Sequence, residues 1–277
     1  MAPLETHSSF RVVDLPTWVF YPSHQKARRL IVFVHGFGGR AVATWTDFPL
    51  SGQMGTWWEE SDMLYVGYKS MKENITSVAD RLRTELPRFY PTPYFPAMEV
   101  GGVKARDDIS SEYEDLILVG HSLGGLVIRI ALAYVAQQRS NSSPSAAAAP
   151  PFLLEAQTRF FSPASAGFRS GGALGIIGAA GVWPVIEMFL RASSAYTDMD
   201  PESSLIKGTR EKTERLAREG FYSLRARILW ANPDGVVKAE EYDTDLYRDS
   251  ADDTSHGSVC KPSSDYQRPW QFVETGR

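Results

Sequence analysis

The sequence predicts an α/β domain with a mostly parallel central sheet and helices on both faces. Short apolar runs such as Leu30–Val34 and Leu116–Val119 are typical of strands that are buried on both faces of a sheet. These runs alternate along the chain with segments of helical periodicity, such as 75–89, which is the pattern of a parallel sheet. Ligands of such sheets bind beyond the carboxyl ends of the strands, so residues that follow a strand are the candidates for chemistry.

Each element has a local signal in the sequence. Apolar runs predict strands, apolar residues spaced three and four apart predict helices, and segments rich in proline and glycine predict loops. The predicted strands are 10–14, 18–21, 30–34, 62–68, 116–119, 159–162, 225–231 and 242–247. The predicted helices are 75–89, 123–138, 210–219 and 266–275, with a loop over 90–102. The helix over 210–219 is strongly charged and is expected to be exposed.

The composition narrows the class of protein. The chain has 277 residues, of which 43% are hydrophobic and 22% charged, as in a globular protein. Its net charge of −4, without a long basic run, gives no support to nucleic-acid binding. Cys260 is the single cysteine, so a disulfide within the chain is excluded. Residues 1–10 lack the apolar core of a secretory signal peptide, and we therefore expect a cytoplasmic location.

The most informative motif is Gly120–Gly125, with the sequence Gly-His-Ser-Leu-Gly-Gly, directly after the apolar run 116–119. The pattern G-x-S-x-G between a strand and a helix predicts a nucleophile elbow, in which Ser122 stands exposed on a tight, strained turn. A serine alcohol is a weak nucleophile, so it needs a base within hydrogen-bond reach and a carboxylate that orients the base.

His256 is the predicted base, because it alone among the five histidines lies well beyond Ser122 in the sequence and follows the last predicted strand. Asp234 is the predicted acid, because it follows the strand over 225–231. The alternative interpretation of Asp234 is a turn aspartate in Pro-Asp-Gly, and both interpretations can hold together. The less favoured acids are Asp198, Asp200, Glu240, Asp252 and Asp253.

Catalysis at Ser122 would need two backbone N–H groups aimed at the developing oxyanion. One is expected from Leu123, the residue after the nucleophile, and the other from Phe37, with Gly36 as the alternative, in the loop His-Gly-Phe-Gly-Gly after strand 30–34. His35 is expected to hold this loop by hydrogen bonding. His121 is expected to point away from His256 in a structural role, and together with Gly36 it also lines the predicted substrate site.

With these residues in order, the chain resembles the α/β-hydrolase superfamily, and within it the lipase-like serine esterases. The motifs that carry the resemblance are the oxyanion loop, the elbow and His256–Pro262, in which the histidine precedes Cys-Lys-Pro. The last motif is similar to hydrolase domains of lipid-remodelling esterases and of bacterial esterases associated with NTPases. At Ser165 this chain departs from many relatives, which carry a histidine at that place.

The resemblance and the sequence together imply one α/β-hydrolase domain over 1–277, with an apolar cap inserted at about 163–220 and a disordered loop at 140–151. The run Gly171–Ile186 is apolar, and it is interpreted as a cap element, with a membrane-contacting lid and a membrane span as alternatives. Trp183 and Phe189 of the cap are expected to contact the substrate.

The expected activity is hydrolysis of carboxylic esters, small-molecule or lipid, through an acyl-enzyme, with apolar acyl groups preferred. No metal and no cofactor is expected, because the sequence lacks metal-ligand spacing and nucleotide-binding loops. Two alternatives stay open: a catalytically silent interaction module of the same fold, and an acyltransferase or thioesterase with the same triad. The sequence does not determine the oligomeric state.

Overall fold

The computed structural model describes residues 7, 9–12, 14–48, 55–100, 102–108, 110–142, 151–168 and 199–277. In this part of the chain the strands are β1 (Phe10–Arg11), β2 (Val19–Tyr21), β3 (Arg29–Val34), β4 (Ser61–Val66), β5 (Glu99–Val100), β6 (Val103–Lys104), β7 (Asp115–His121), β8 (Gln157–Phe161), β9 (Arg227–Asn232) and β10 (Tyr247–Asp252). The α-helices are α1 (Ala41–Trp45), α2 (Thr56–Glu59), α3 (Ile75–Glu85), α4 (Leu123–Asn141), α5 (Ser204–Arg218) and α6 (Arg268–Thr275).

The central sheet has eight strands in the order β1-β2-β4-β3-β7-β8-β9-β10. The six strands from β4 to β10 in this order are parallel, and β1 and β2 join one edge in antiparallel pairing. The predicted mostly parallel sheet is therefore confirmed. Its carboxyl edge collects the ends of β3, β7, β8, β9 and β10, so the residues that follow these strands meet along one rim.

Helices cover both faces of the sheet, as predicted. Alternate residues of β3 explain how: Leu30 and Val32 pack into a core shared with α3, α4 and α5. Ile31 and Phe33 point to the other face, where residues of α1, α2 and α6 cover them. All six residues of β3 are buried, which accounts for the apolar run Leu30–Val34 within it.

The predictions for the last strand and for the charged helix were wrong in detail. Residues 242–245 form a turn, because the Asp245 carboxylate accepts hydrogen bonds from the backbone N–H groups of Ala226 and Tyr242. The final strand is β10, which starts where the predicted one ends. Helix α5 begins earlier than predicted and buries one face against α4, including Ile206 and Leu216, so only its charged face is exposed.

The loop predicted over 90–102 contains a short helical turn at Phe95–Ala97 and enters the two-stranded hairpin β5–β6. The expectations for the cap at 163–220 and the loop at 140–151 fall mostly on residues 169–198 and 143–150, which lie outside the described residues. Trp183, Phe189, Asp198 and the run Gly171–Ile186 lie there too. Among the described helices, none combines the length and the apolar sequence that a membrane span requires.

Gly124 and Gly208 offer a matched pair of glycine-to-alanine tests. A Cβ at Gly124 would overlap the carbonyl oxygen of Val34, whereas a Cβ at Gly208 in α5 would meet nothing within 4 Å. We expect Gly124→Ala to lower the free energy of unfolding by about 1–3 kcal/mol through overpacking. Gly208→Ala should raise it by about 0.5–1 kcal/mol, because alanine has the higher helix propensity. Urea unfolding of both variants measures this, and equal effects would contradict the close approach of α4 to β3.

Candidate active site

The turn between β7 and α4 holds Ser122 in an uncommon backbone conformation. Its φ is 53° and its ψ is −122°, a region that a residue with a side chain occupies only at a cost of about 1–3 kcal/mol. The Ser122 N–H donates to the Phe161 carbonyl at 3.0 Å, and its carbonyl accepts from Ala164 N–H at 3.0 Å. The end of β8 and the residues directly after it therefore hold the backbone of this serine in place.

Glycines make this turn sterically feasible. A Cβ at Gly120 would lie 2.6 Å from the Gly125 backbone, so a larger residue at either end would push the helix away from the strand. Helix α4 then runs through the core with almost every residue buried, from Leu123 to Ala136. A helix that is buried on nearly all sides gives the serine at its N-terminus a packed support.

Asp234 lies in the turn after β9, where the Asn232–Pro233 peptide is cis. Its Oδ1 accepts hydrogen bonds from the backbone N–H groups of Val236 at 2.9 Å and Val237 at 3.1 Å. Its Oδ2 accepts from His256 Nδ1 at 2.8 Å. Burial raises the pKa of this carboxyl, but the hydrogen bonds and the charge interaction with His256 outweigh burial and lower the pKa to about 2.

His256 follows β10 and is buried. Because Nδ1 donates to Asp234, the other ring nitrogen, Nε2, is the one left for proton transfer. Within the described part of the chain, the buried atoms His256 Nε2 and Ser122 Oγ both lack a hydrogen-bond partner. Two buried polar atoms without partners are exceptions that call for a chemical explanation.

His121 links the serine turn to the histidine loop. Its Nε2–H donates to the His256 carbonyl at 2.8 Å, and the two imidazole rings lie 4.8 Å apart. The expectation that His121 points away from His256 is therefore wrong, and its structural role has a specific form. Burial, and then the neighbouring His256, lower the pKa of His121 to about 3, so its ring is neutral at physiological pH.

The loop after β3 packs directly on the serine turn. A Cβ at Gly36 would lie 2.8 Å from Ser122 Cβ, so only a glycine allows this approach. The N–H groups of Gly38 and Gly39 are bonded to Ser70 Oγ and the Gly36 carbonyl. In the described part of the chain, the N–H groups of Gly36 and Phe37 make no hydrogen bond, and either can be offered to a ligand.

The other predicted backbone donor, Leu123, lies at the start of α4. The first N–H groups of a helix have no acceptor within the helix, and Leu123 is the first residue of α4. The sequence-predicted pair of Phe37 and Leu123 therefore lies on two segments that meet at Ser122. The Phe37 ring is buried in edge-to-face contact with Phe168, at 5.9 Å between centroids.

His35 holds the loop after β3, as expected. Its Nδ1–H donates to the Gly36 carbonyl at 2.8 Å, and its Nε2 accepts from Tyr68 N–H at 3.3 Å. Tyr68 stacks on the ring at 4.3 Å, and its hydroxyl donates to the His35 carbonyl at 2.7 Å. Burial lowers the pKa of His35, so both ring nitrogens keep these roles.

Sequence reasoning missed Ser162, which follows β8 at the same rim. Its φ is 39°, its hydroxyl accepts from Ala231 N–H at 2.9 Å, and its interaction with Asp234 helps to lower the pKa of that carboxyl. The available signal was its position at the carboxyl end of the predicted strand 159–162. Ser165, three residues later, is fully buried, and its carbonyl accepts from the Tyr242 hydroxyl at 3.3 Å.

The other acids considered in the sequence have different partners. Asp200 accepts from Glu202 N–H at 2.8 Å, near the start of α5. Glu240 pairs with Arg210, and Asp252 accepts from Asn232 Nδ2 at 2.7 Å. Among the described carboxylates, Asp234 is the one bonded to His256.

Solved structures with a similar fold are known, although the sequence itself has no match among family models or curated proteins. No protein-family model matches the chain, and no curated protein matches it in sequence. Among solved structures, it is similar to a lipase of Bacillus licheniformis in mature form, with TM-score 0.56 and 16% identity over 92% of this chain and 97% of the lipase. The propeptide form of that lipase matches with TM-score 0.52 and 14% identity, over 93% of this chain and 53% of the other.

A bacterial membrane phospholipase A matches with TM-score 0.50 and 11% identity, over 98% of this chain and 86% of the phospholipase. At identities this low, the structural similarity establishes the fold alone, and this fold is the α/β-hydrolase fold.

The neutral state of His121 predicts a pH dependence of stability. Its pKa is about 3 in the folded chain and near the ordinary 6.5 in the unfolded chain. Between about pH 3 and pH 6.5, His121 binds a proton in the unfolded chain but not in the folded chain. Its contribution to the free energy of unfolding is therefore complete above pH 6.5 and falls as the pH drops. We expect His121→Gln to reduce this fall by up to about 1.4 kcal/mol per pH unit. Urea unfolding of both proteins across this range measures the difference, and parallel curves would contradict the neutral ring.

Proposed function

We propose that this chain is a serine hydrolase that cleaves carboxylic esters, with Ser122 as nucleophile, His256 as general base and Asp234 as the acid that orients it. The observation that carries the proposal is the buried hydrogen bond of 2.8 Å between His256 Nδ1 and Asp234 Oδ2, on the loop that His121 joins to the strained Ser122 turn. This bond leaves Nε2 as the basic nitrogen, while Ser122 Oγ is buried and has no hydrogen-bond partner among the described residues.

The proposed reaction has two halves. His256 Nε2 removes the proton of Ser122 Oγ as the oxygen attacks the ester carbonyl, and the resulting oxyanion accepts hydrogen bonds from the N–H groups of Phe37 and Leu123. His256 then protonates the leaving alcohol, and the acyl group stays on Ser122. Water, deprotonated by His256, then attacks the acyl carbonyl. The bond to Ser122 Oγ breaks, His256 returns the proton to this oxygen, and the carboxylic acid leaves.

The charges around the site suit this cycle. With a pKa of about 2, Asp234 is ionised at physiological pH and stabilises the imidazolium that forms on His256. With a pKa of about 3, His121 stays neutral and adds no positive charge beside that imidazolium. A protonated His121 would repel the charged form of His256 and weaken it as a base.

We further propose that the substrate carries an apolar acyl group and is a small-molecule or lipid ester. The buried Phe37–Phe168 pair supports this, because Phe37 belongs to the loop that packs on the Ser122 turn and its contact with Phe168 is apolar. The matched structures are a lipase and a membrane phospholipase A. Gly36, His121, Trp183 and Phe189 are proposed as substrate contacts within a single domain over 1–277. Contact of the cap at 163–220 with a membrane surface and a cytoplasmic location remain predictions from the sequence.

The reactivity of Ser122 is the first test. A fluorophosphonate probe should label Ser122 in the wild-type protein and should leave Ser122→Ala unlabelled, because the probe reacts with activated serine hydroxyls. The same substitution should lower kcat for a chromogenic ester by about four to six orders of magnitude. Intact mass and peptide mapping identify the labelled residue. Absence of label on folded wild-type protein would favour the catalytically silent interaction module.

The role of Asp234 is tested with Asp252 as its matched control, since both carboxylates lie at the carboxyl end of a strand, along the same rim. Asp234→Asn should lower kcat by about 10³–10⁴-fold with little change in KM, because the amide cannot stabilise the imidazolium. Asp252→Asn, at an exposed carboxylate bonded to Asn232, should leave both constants almost unchanged. Thermal unfolding checks that both variants fold. Full activity of folded Asp234→Asn would remove Asp234 from the mechanism.

A further inference from the structure

A cavity lined by three arginines lies at the opposite end of the strands from Ser122. It encloses about 390 Å³ at the amino ends of β8 and β9, and its lining includes Arg159, Arg225 and Arg227. We call it the arginine cavity. We propose that it binds an oxyanion with two negative charges, such as phosphate or a phosphate monoester.

The charge of the arginine cavity is positive and poorly compensated. Its ionisable lining residues are three arginines and Glu155, which gives 3 − 1 = +2. Across the described ranges, none of the three guanidinium groups has a carboxylate oxygen within 4.0 Å. Arg28, Arg106 and Arg129 show the contrast, since each forms an ion pair with a carboxylate. A chain of net charge −4 therefore keeps a cavity of net positive charge here, although Asp115 attracts Arg159 from beyond ion-pair distance.

Arg159 and Arg227 stand directly opposite each other on paired strands. Like charges at such a position destabilise a sheet. Arg159 is only 4% exposed, and burial, together with Arg227, lowers its pKa to about 10. Arg159 donates to Gln157 Oε1 at 2.6 Å and to the Thr158 carbonyl at 3.3 Å, but neither acceptor carries a charge. An anion in the cavity would relieve this repulsion.

Backbone groups offset only part of the charge. The Gly276 backbone, just past the C-terminal end of α6, packs on Arg159 and Arg227, where the helix dipole is negative. Arg225 donates to the Ala217 carbonyl at 2.9 Å near the end of α5. The Arg227 side chain makes no hydrogen bond with the described residues. Its planar fork of donors is therefore free for a bidentate contact with an oxyanion.

The remaining lining residues suit a phosphate group joined to an organic part. Ser223 is 3% exposed, and its Oγ lacks a hydrogen-bond partner among the described residues, so it can donate to an oxyanion. Tyr222 and Leu246 are 67% and 55% exposed at the rim, and the Arg225 guanidinium lies 4.7 Å from the Tyr222 ring centroid. The phosphate of a free monoester and that of a lipid headgroup share this chemistry.

This inference is independent of the proposed hydrolysis. Strand β9 runs from Arg227 to Asn232, so its two ends are roughly 16 Å apart at about 3.3 Å per residue. A ligand at Arg227 would therefore lie far from the Asp234 turn. Substitutions in the arginine cavity should leave fluorophosphonate labelling of Ser122 unchanged.

The test is isothermal titration calorimetry with inorganic phosphate at a constant ionic strength of about 0.15 M. The wild-type protein should bind phosphate, and the double variant Arg225→Gln/Arg227→Gln should bind it at least about tenfold more weakly, because two charged donors are lost. The control is Lys72→Gln/Lys104→Gln, which removes the same charge from exposed positions outside the cavity and should retain wild-type affinity. Thermal unfolding checks that each variant folds.

Two further titrations identify the source of the phosphate. Tighter binding of phenyl phosphate than of inorganic phosphate, lost in the double variant, would support a free monoester. Binding to phosphatidylcholine vesicles that contain phosphatidic acid but not to pure phosphatidylcholine, also lost in the double variant, would support a lipid headgroup. The proposal is overturned if folded wild-type protein binds inorganic phosphate with a Kd above about 10 mM, or if the double variant binds it equally well.

Discussion

The close approach of α4 to the end of β3 is the constraint on which the site depends. Gly124 lies so near the Val34 carbonyl that no Cβ fits between them. To reach this position directly after β7, the chain turns through Ser122 at a φ of 53°. The same approach brings Gly36 against Ser122, so the loop after β3 and the N-terminus of α4 share one small space. The serine and both proposed oxyanion donors are thus positioned by backbone packing.

The electrostatics of the candidate site depends on which of its buried groups carry a charge. Asp234 is held as a carboxylate by two backbone N–H groups and His256, whereas burial keeps His121 neutral. The charged Asp234 carboxylate holds the ring of His256, and the neutral ring of His121 holds its backbone carbonyl. This arrangement gives the imidazole a defined position and leaves Nε2 as its reactive nitrogen.

The sequence was sufficient to predict which residues lie at the carboxyl rim of the sheet, because local pattern and fold topology agree there. Ser122, Asp234 and His256 each follow a strand of a parallel sheet, and the carboxyl ends of such strands share one rim. The sequence was not sufficient to predict contacts between segments that are distant along the chain. The hydrogen bond from His121 to the His256 carbonyl joins residues 135 positions apart, and no local pattern encodes it. Strand β10 was misplaced because its alternately exposed, polar sequence lacks an apolar run.

The most direct test of the account is a crystal structure of the protein after reaction with a fluorophosphonate. We predict a covalent bond from phosphorus to Ser122 Oγ. The phosphoryl oxygen should lie within about 2.7–3.1 Å of the backbone nitrogens of Leu123 and of Phe37 or Gly36, since it occupies the position of the oxyanion. His256 should keep its hydrogen bond to Asp234. A phosphoryl oxygen that faces solvent, or an adduct on another residue, would contradict the proposed site.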